Sequence, residues 1–130
     1  MSYSIRLKCP VSGKVLELDE KHHMKGGTYL IGGSKYCKID ITYNYAPMYY
    51  GLFPQRNPEG EYVEDRRNGI RYIYGMSGAE SIPVLQEVIS KLGDDVSSSY
   101  WDATEGNAKK ALTQLLALAR MRPDGIWDGD

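Results

Sequence analysis

A chain of 130 residues is the size of one compact domain and can bury roughly two thirds of the surface its unfolded form exposes. Sixteen Lys/Arg against seventeen Asp/Glu leave a formal charge of -1, without the cationic excess that draws proteins to nucleic acid, and this argues against a duplex-binding role. No run approaches the ~20 apolar residues of a membrane span. Two cysteines and an opening "MSYSIRLKCP" without an apolar stretch predict a cytoplasmic protein with reduced thiols.

Alternation dominates the first forty-five residues. Ile5, Leu7 and Cys9 share one face of a strand and Ser4, Arg6 and Lys8 the other; "PVSG" then supplies a turn into "KVLELD", which predicts a hairpin. A second pair is expected from "GGTYLIGG" and "YCKIDITYNY", where Ile39, Ile41, Tyr43 and Tyr45 alternate with Asp40, Thr42 and Asn44. "APMYYGLF" fits a short helix or a continued strand. Residues 54–69 read as a solvated surface loop or extended hairpin, and "IRYIYG" as another strand.

Two helices follow. Ile82, Leu85, Ile89 and Leu92 have helical spacing and end at Gly93, a good left-handed terminator. Ser77 with Glu80 has capping-box spacing, while Pro83 fits better if Ser81 is the cap. In the second helix Ala108, Ala111, Leu112, Leu115 and Ala119 form a stripe that Leu116 and Leu118 widen, as a central packing element requires. Pro123 ends it, because the residue before a proline leaves helical geometry. The expected architecture is a single α+β domain over 1–130, an N-terminal antiparallel sheet packed on two C-terminal helices, with an acidic tail 123–130 docked by Trp127.

Chemical motifs are few. Gly27 and Gly32 have the separation of a phosphate-binding loop, but Gly33 stands where the lysine is required, so that match fails. His22, His23, Cys9 and Cys37 lack zinc-ligand spacing. Neither a serine elbow nor an activated cysteine is present; Asp124, Asp128 and Asp130 could hold a hard cation for hydrolysis or simply be solvated. No cofactor is expected.

The richest stretch is "SSSYWDATEGNAKKAL", residues 97–112, at the entrance of the second helix. Asp102 with Glu105, or Thr104 alone, can cap the helix. Gly106 costs about 0.8–1.0 kcal/mol of helix propensity relative to Ala, and lets another backbone or a ligand approach the first turn. Two readings stand: a capped helix with an aromatic staple, or a binding surface for a small anion. The binding reading names Tyr100 and Trp101 as stacking faces, Thr104 and Asn107 beside the free amides, and Lys109 or Arg122 for charge. Asn44 and Tyr45 would contribute from the sheet.

Eleven tyrosines against one phenylalanine suit half-wet contact surfaces. Residues 1–38 carry seven basic and three acidic side chains, residues 76–130 five and nine, so opposite ends could attract across a subunit contact in a homo-oligomer. "HHMKGGTY", "ITYNY", "GAESIPVLQ", "YWDATEGNAKKAL" and "ALARMRPDGIWDGD" together resemble a family of small proteins of unassigned function encoded in bacteriophage and prophage genomes; the segment 54–68 departs from it as a surface insertion. The resemblance implies no catalytic residue. It implies an accessory binding protein acting against host antiviral defence, by sequestering a nucleotide-like signalling ligand or by inhibiting a defence protein or nuclease.

Overall fold

The computed structural model describes residues 2–22, 34–62, 69–99 and 101–130. In chain order come β1 (Ser2–Lys8), β2 (Glu17–His22), β3 (Ser34–Tyr36), β4 (Lys38–Thr42), a 3-10 turn (Tyr43–Tyr45) and the short helix α1 (Ala46–Tyr49). Another 3-10 turn (Gly69–Ile73) leads to α2 (Gly78–Ser90), α3 (Glu105–Met121) and β5 (Ile126–Gly129). The class is α+β, as expected. Antiparallel strands form two sheets, α2 packs on α3, and the last strand returns to the first sheet. Histidine 23 and the glycines at 27, 32 and 33, together with Tyr100, lie outside the described residues.

β1 is the centre of a three-stranded sheet ordered β4-β1-β5. Its two-residue period buries Tyr3, Ile5 and Leu7 and turns Ser4, Arg6 and Lys8 outward. Ile5 stands opposite Ile39 and Leu7 opposite Trp127. These apolar pairs hold the register, since a one-residue slip would turn both to solvent.

The expected first hairpin forms only at its turn. The Cys9 N–H donates to the Lys14 carbonyl at 2.8 Å, and Gly13 adopts a φ of 73°. After the Lys8–Val15 bridge the chain leaves, and β2 pairs with β3 instead. Leu16 and Cys37 share the edge of β1 at Leu7, and beyond them that edge belongs to β4.

Two other expected strands are 3-10 turns. The Thr42 hydroxyl accepts from the Asn44 N–H at 3.3 Å and bends the chain out of β4, so Tyr43 and Tyr45 do not continue its face. In "IRYIYG" Ile70 and Ile73 lie three apart and both are buried, the period of a 3-10 helix rather than a strand. Gly69 opens that turn with a φ of 67°, and a Cβ on it would stand 3.1 Å from the Tyr50 ring. Within 54–62, a bridge between Arg56 and Tyr62 makes a small hairpin turn.

α2 starts at Ser77. Its hydroxyl accepts from the Glu80 N–H and the Glu80 carboxylate accepts from the Ser77 N–H, each at 3.0 Å. Those bonds hold the Glu80 carboxyl below its ordinary range. Pro83 lies inside the helix on its exposed side, where it lacks the N–H that would bond the carbonyl of the exposed Ala79. Gly93 is not left-handed; Lys91 is the cap, and the Gly93 N–H donates to the Glu105 carboxylate at 3.2 Å.

α3 buries the whole predicted stripe, and each leucine there contributes about 1.5–3 kcal/mol. One continuous core joins it to α2 and the inward face of the sheet. Trp127 is docked as expected: its indole N–H donates to the Ser81 hydroxyl at 2.7 Å in the interior. The outer edge of β5 bonds residues 75 and 76. Arg6 and Lys8 of β1 lie 2.9 and 3.1 Å from Asp128 of β5, so part of the charge asymmetry is used within the chain. Among the described residues no helix is long and apolar enough to cross a membrane.

Candidate functional site

The polar run before α3 serves the loop that precedes the helix. Asn107 is 3% exposed, and its carboxamide binds that loop three times. Its oxygen accepts from the Ser97 N–H at 3.3 Å, and its nitrogen donates to the Ser99 and Asp102 carbonyls at 2.9 and 3.0 Å. The Ser97 hydroxyl donates to the Asp102 carboxylate. Lys109 reaches Asp94 at 2.8 Å and Glu105 reaches back to Gly93.

Gly106 is explained by the same packing. A Cβ there would stand 2.7–2.8 Å from backbone atoms of Asp94, Asp95 and Val96. The neighbour that comes close to the first turn is therefore the chain's own backbone. Two of the amides expected to receive an anion are already bonded: Thr104 accepts from the Asn107 N–H at 3.1 Å and Asp95 from the Gly106 N–H at 3.2 Å. Side-chain oxygens thus stand where an anion's would.

Beside its exposed aspartates Asp94, Asp95 and Asp102, the loop also exposes two large apolar side chains, Val96 at 53% and Trp101 at 51%. The Trp101 carbonyl accepts from the Asn44 carboxamide at 2.8 Å, a bond that ties the loop to the 3-10 turn after β4. Five of the expected residues therefore meet at this entrance: Asn44, Trp101, Thr104, Asn107 and Lys109.

Two others do not face an incoming ligand there. Tyr45 is 1% exposed, and burial, with the charge of Asp102 in the entrance loop acting in the same direction, pushes its phenol pKa up. Arg122 caps the opposite end of α3, about 20 Å from Lys109 along the axis. There its guanidinium is held by Asp124 at 2.9 and 3.1 Å and by the Glu17 carbonyl at 3.1 Å.

The three tail aspartates diverge. Asp124 pairs with Arg122, Asp128 with Arg6 and Lys8, and the Asp130 carboxylate accepts from the Ser4 N–H at 2.7 Å. Among the described residues no three His, Cys, Asp or Glu side chains are grouped to hold a metal ion. Cys37 is buried, and the His22 ring contacts the Tyr36 carbonyl at 2.6 Å.

A hollow of about 390 Å³ lies on the side of the 3-10 turn that carries Tyr43, lined by Tyr3, Tyr43, Ala46, Pro47, Tyr50 and Arg71. Sequence reasoning does not find it, because Arg71 sits in the segment read as a strand and the other residues come from three elements. The skew toward tyrosine is the one signal that points to it. No protein-family model matches the chain, and no curated protein or solved structure matches it.

Proposed function

We propose that the chain is a non-enzymatic binding protein that offers the loop 94–104 to a protein partner. In the phage setting implied by the resemblance, that partner is a host defence protein or nuclease which the loop occludes. The observation that carries this reading is the bracing of the loop by Asn107, Asp95, Lys109 and Asn44 while Val96 and Trp101 face water. Exposed tryptophan held on a rigid support is what interface hot spots are made of. Ordering a loose side chain on binding costs about 0.5–1.5 kcal/mol, which a braced loop avoids. Sequestration of a nucleotide-like ligand at this entrance is the weaker reading, because the Gly106 and Asn107 amides already have partners.

Affinity capture from host lysate with the wild type and Trp101→Ala, both checked for folding by circular dichroism, tests the proposal. The wild type is expected to retain a defined polypeptide that the variant loses. Retention of a heat-stable small molecule with no polypeptide supports sequestration and contradicts occlusion. Native mass spectrometry adds the oligomeric state: a dimer that Trp101→Ala dissolves assigns the loop to a second copy of the chain.

A further inference from the structure

We infer that the hollow framed by Tyr3, Tyr43, Tyr50 and Arg71 binds a small molecule that joins a flat ring to an anionic group, as a nucleoside monophosphate does. The site is separate from the loop 94–104 and does not depend on what that loop contacts. Its volume of about 390 Å³ falls in the range of roughly 300–1,000 Å³ usual for ligand pockets.

Arg71 supplies the charge and is held in place. Its Nε donates to the Asp130 carbonyl at 2.8 Å, and its guanidinium carbon lies 5.0 Å from the centre of the Tyr3 ring and 6.0 Å from that of Tyr43. Those two rings meet edge to face at 4.6 Å, so the surface under the cation is itself fixed. The terminal guanidinium nitrogens make no hydrogen bond among the described residues, which leaves the paired donors that suit a phosphate or carboxylate. Tyr50, half exposed, and Pro47 form a flat apolar wall on the same hollow.

The nearest negative charge limits what an anion alone can gain. The Asp130 side-chain carboxylate is turned to the Ser4 N–H at 2.7 Å and the Tyr43 hydroxyl at 3.5 Å, and its main-chain oxygen accepts from Arg71. It still offsets part of the Arg71 field. Binding therefore needs the ring and the anion together: the ring stacks on Tyr50 while the anion reaches the guanidinium. The Tyr3 phenol, pushed up to about 12 by burial and by the neighbouring Tyr50 to which it is hydrogen-bonded, stays neutral.

The test is an NMR titration of the full ¹⁵N-labelled chain with adenosine monophosphate, and separately with inorganic phosphate and with adenosine. Adenosine monophosphate is expected to shift the signals of Tyr43–Tyr50 and Arg71 to saturation. Phosphate and adenosine are each expected to bind at least tenfold more weakly. Arg71→Gln and Tyr50→Ala should each weaken binding of the monophosphate at least tenfold, and Tyr50→Ala decides the matter if Arg71→Gln does not fold. Equal binding of phosphate and the monophosphate, shifts that never saturate, or unchanged binding to Tyr50→Ala would overturn the inference.

Discussion

Replacing Gly106 with alanine sets local propensity against tertiary packing, with opposite signs. On an exposed helix the exchange stabilises by about 0.8–1.0 kcal/mol. Here the new Cβ would lie 2.7 Å from the Asp95 carbonyl carbon, 2.8 Å from that of Asp94 and 2.8 Å from the Val96 nitrogen. All three are backbone atoms, so no rotamer change relieves the clash and the loop must move as a unit. Overpacking of this kind costs about 1–3 kcal/mol, and the shift also stretches the bond from the Gly106 N–H to Asp95. The net expectation is a loss of up to about 2 kcal/mol, or up to about 7 °C in Tm. Urea unfolding followed by far-UV circular dichroism measures it, with an unchanged m-value confirming the same unfolding transition. A Gly106→Ala protein more stable than the wild type would show that the loop does not press on the helix, and the explanation of this glycine would fall.

Three further outcomes are expected. Asn107→Asp sets a carboxylate oxygen against the Ser99 and Asp102 carbonyls and should destabilise more than Asn107→Ala, which leaves buried groups unpaired at about 1–3 kcal/mol each; equal stabilities by urea denaturation would contradict the assigned amide orientation. Ser81→Ala strands the buried Trp127 indole N–H and should lower stability by about 1–3 kcal/mol, a loss read from the urea midpoint. Burial works to raise the Asp128 pKa, but the hydrogen bond from Lys8 and the charges of Lys8 and Arg6 outweigh it and hold the carboxyl below its ordinary range. A depressed folded-state value stabilises above the unfolded value of about 3.9, and that stability disappears as pH falls through the folded value. The urea midpoint should therefore drop below about pH 4 more steeply for the wild type than for Asp128→Asn, and parallel profiles would remove Asp128 from the account.

What was legible in the sequence followed from local periodicity. The face of β1 and the apolar stripe of α3 each rest on side chains within a few residues of one another, whereas the sequence leaves Ser77 and Ser81 both open as the start of α2, which the structure places at Ser77. The errors lie where three-residue spacing imitates alternation: Ile70, Tyr72 and Ile73, and Tyr43 with Tyr45, satisfy a strand pattern and a 3-10 turn alike. The detour of β2 to β3 was hidden because the edge of β1 is claimed by residues twenty positions further on. At the entrance of α3 the residue types were read correctly as a cluster. Their direction was not, since "TEGN" cannot tell a guest from the preceding loop as the partner of Gly106 and Asn107. Arg122 was assigned charge for a ligand at the entrance because linear proximity to α3 conceals the length of the helix.

Amide hydrogen exchange of the free protein, resolved residue by residue, tests most directly whether the loop is braced before any partner arrives. The N–H groups of Ser97, Gly106 and Asn107 are predicted to exchange slowly, in step with the centre of α3 around Leu112 and Leu115, while the Trp101 indole exchanges fast. Free-peptide rates at Ser97 and Gly106 beside a protected α3 would contradict the account.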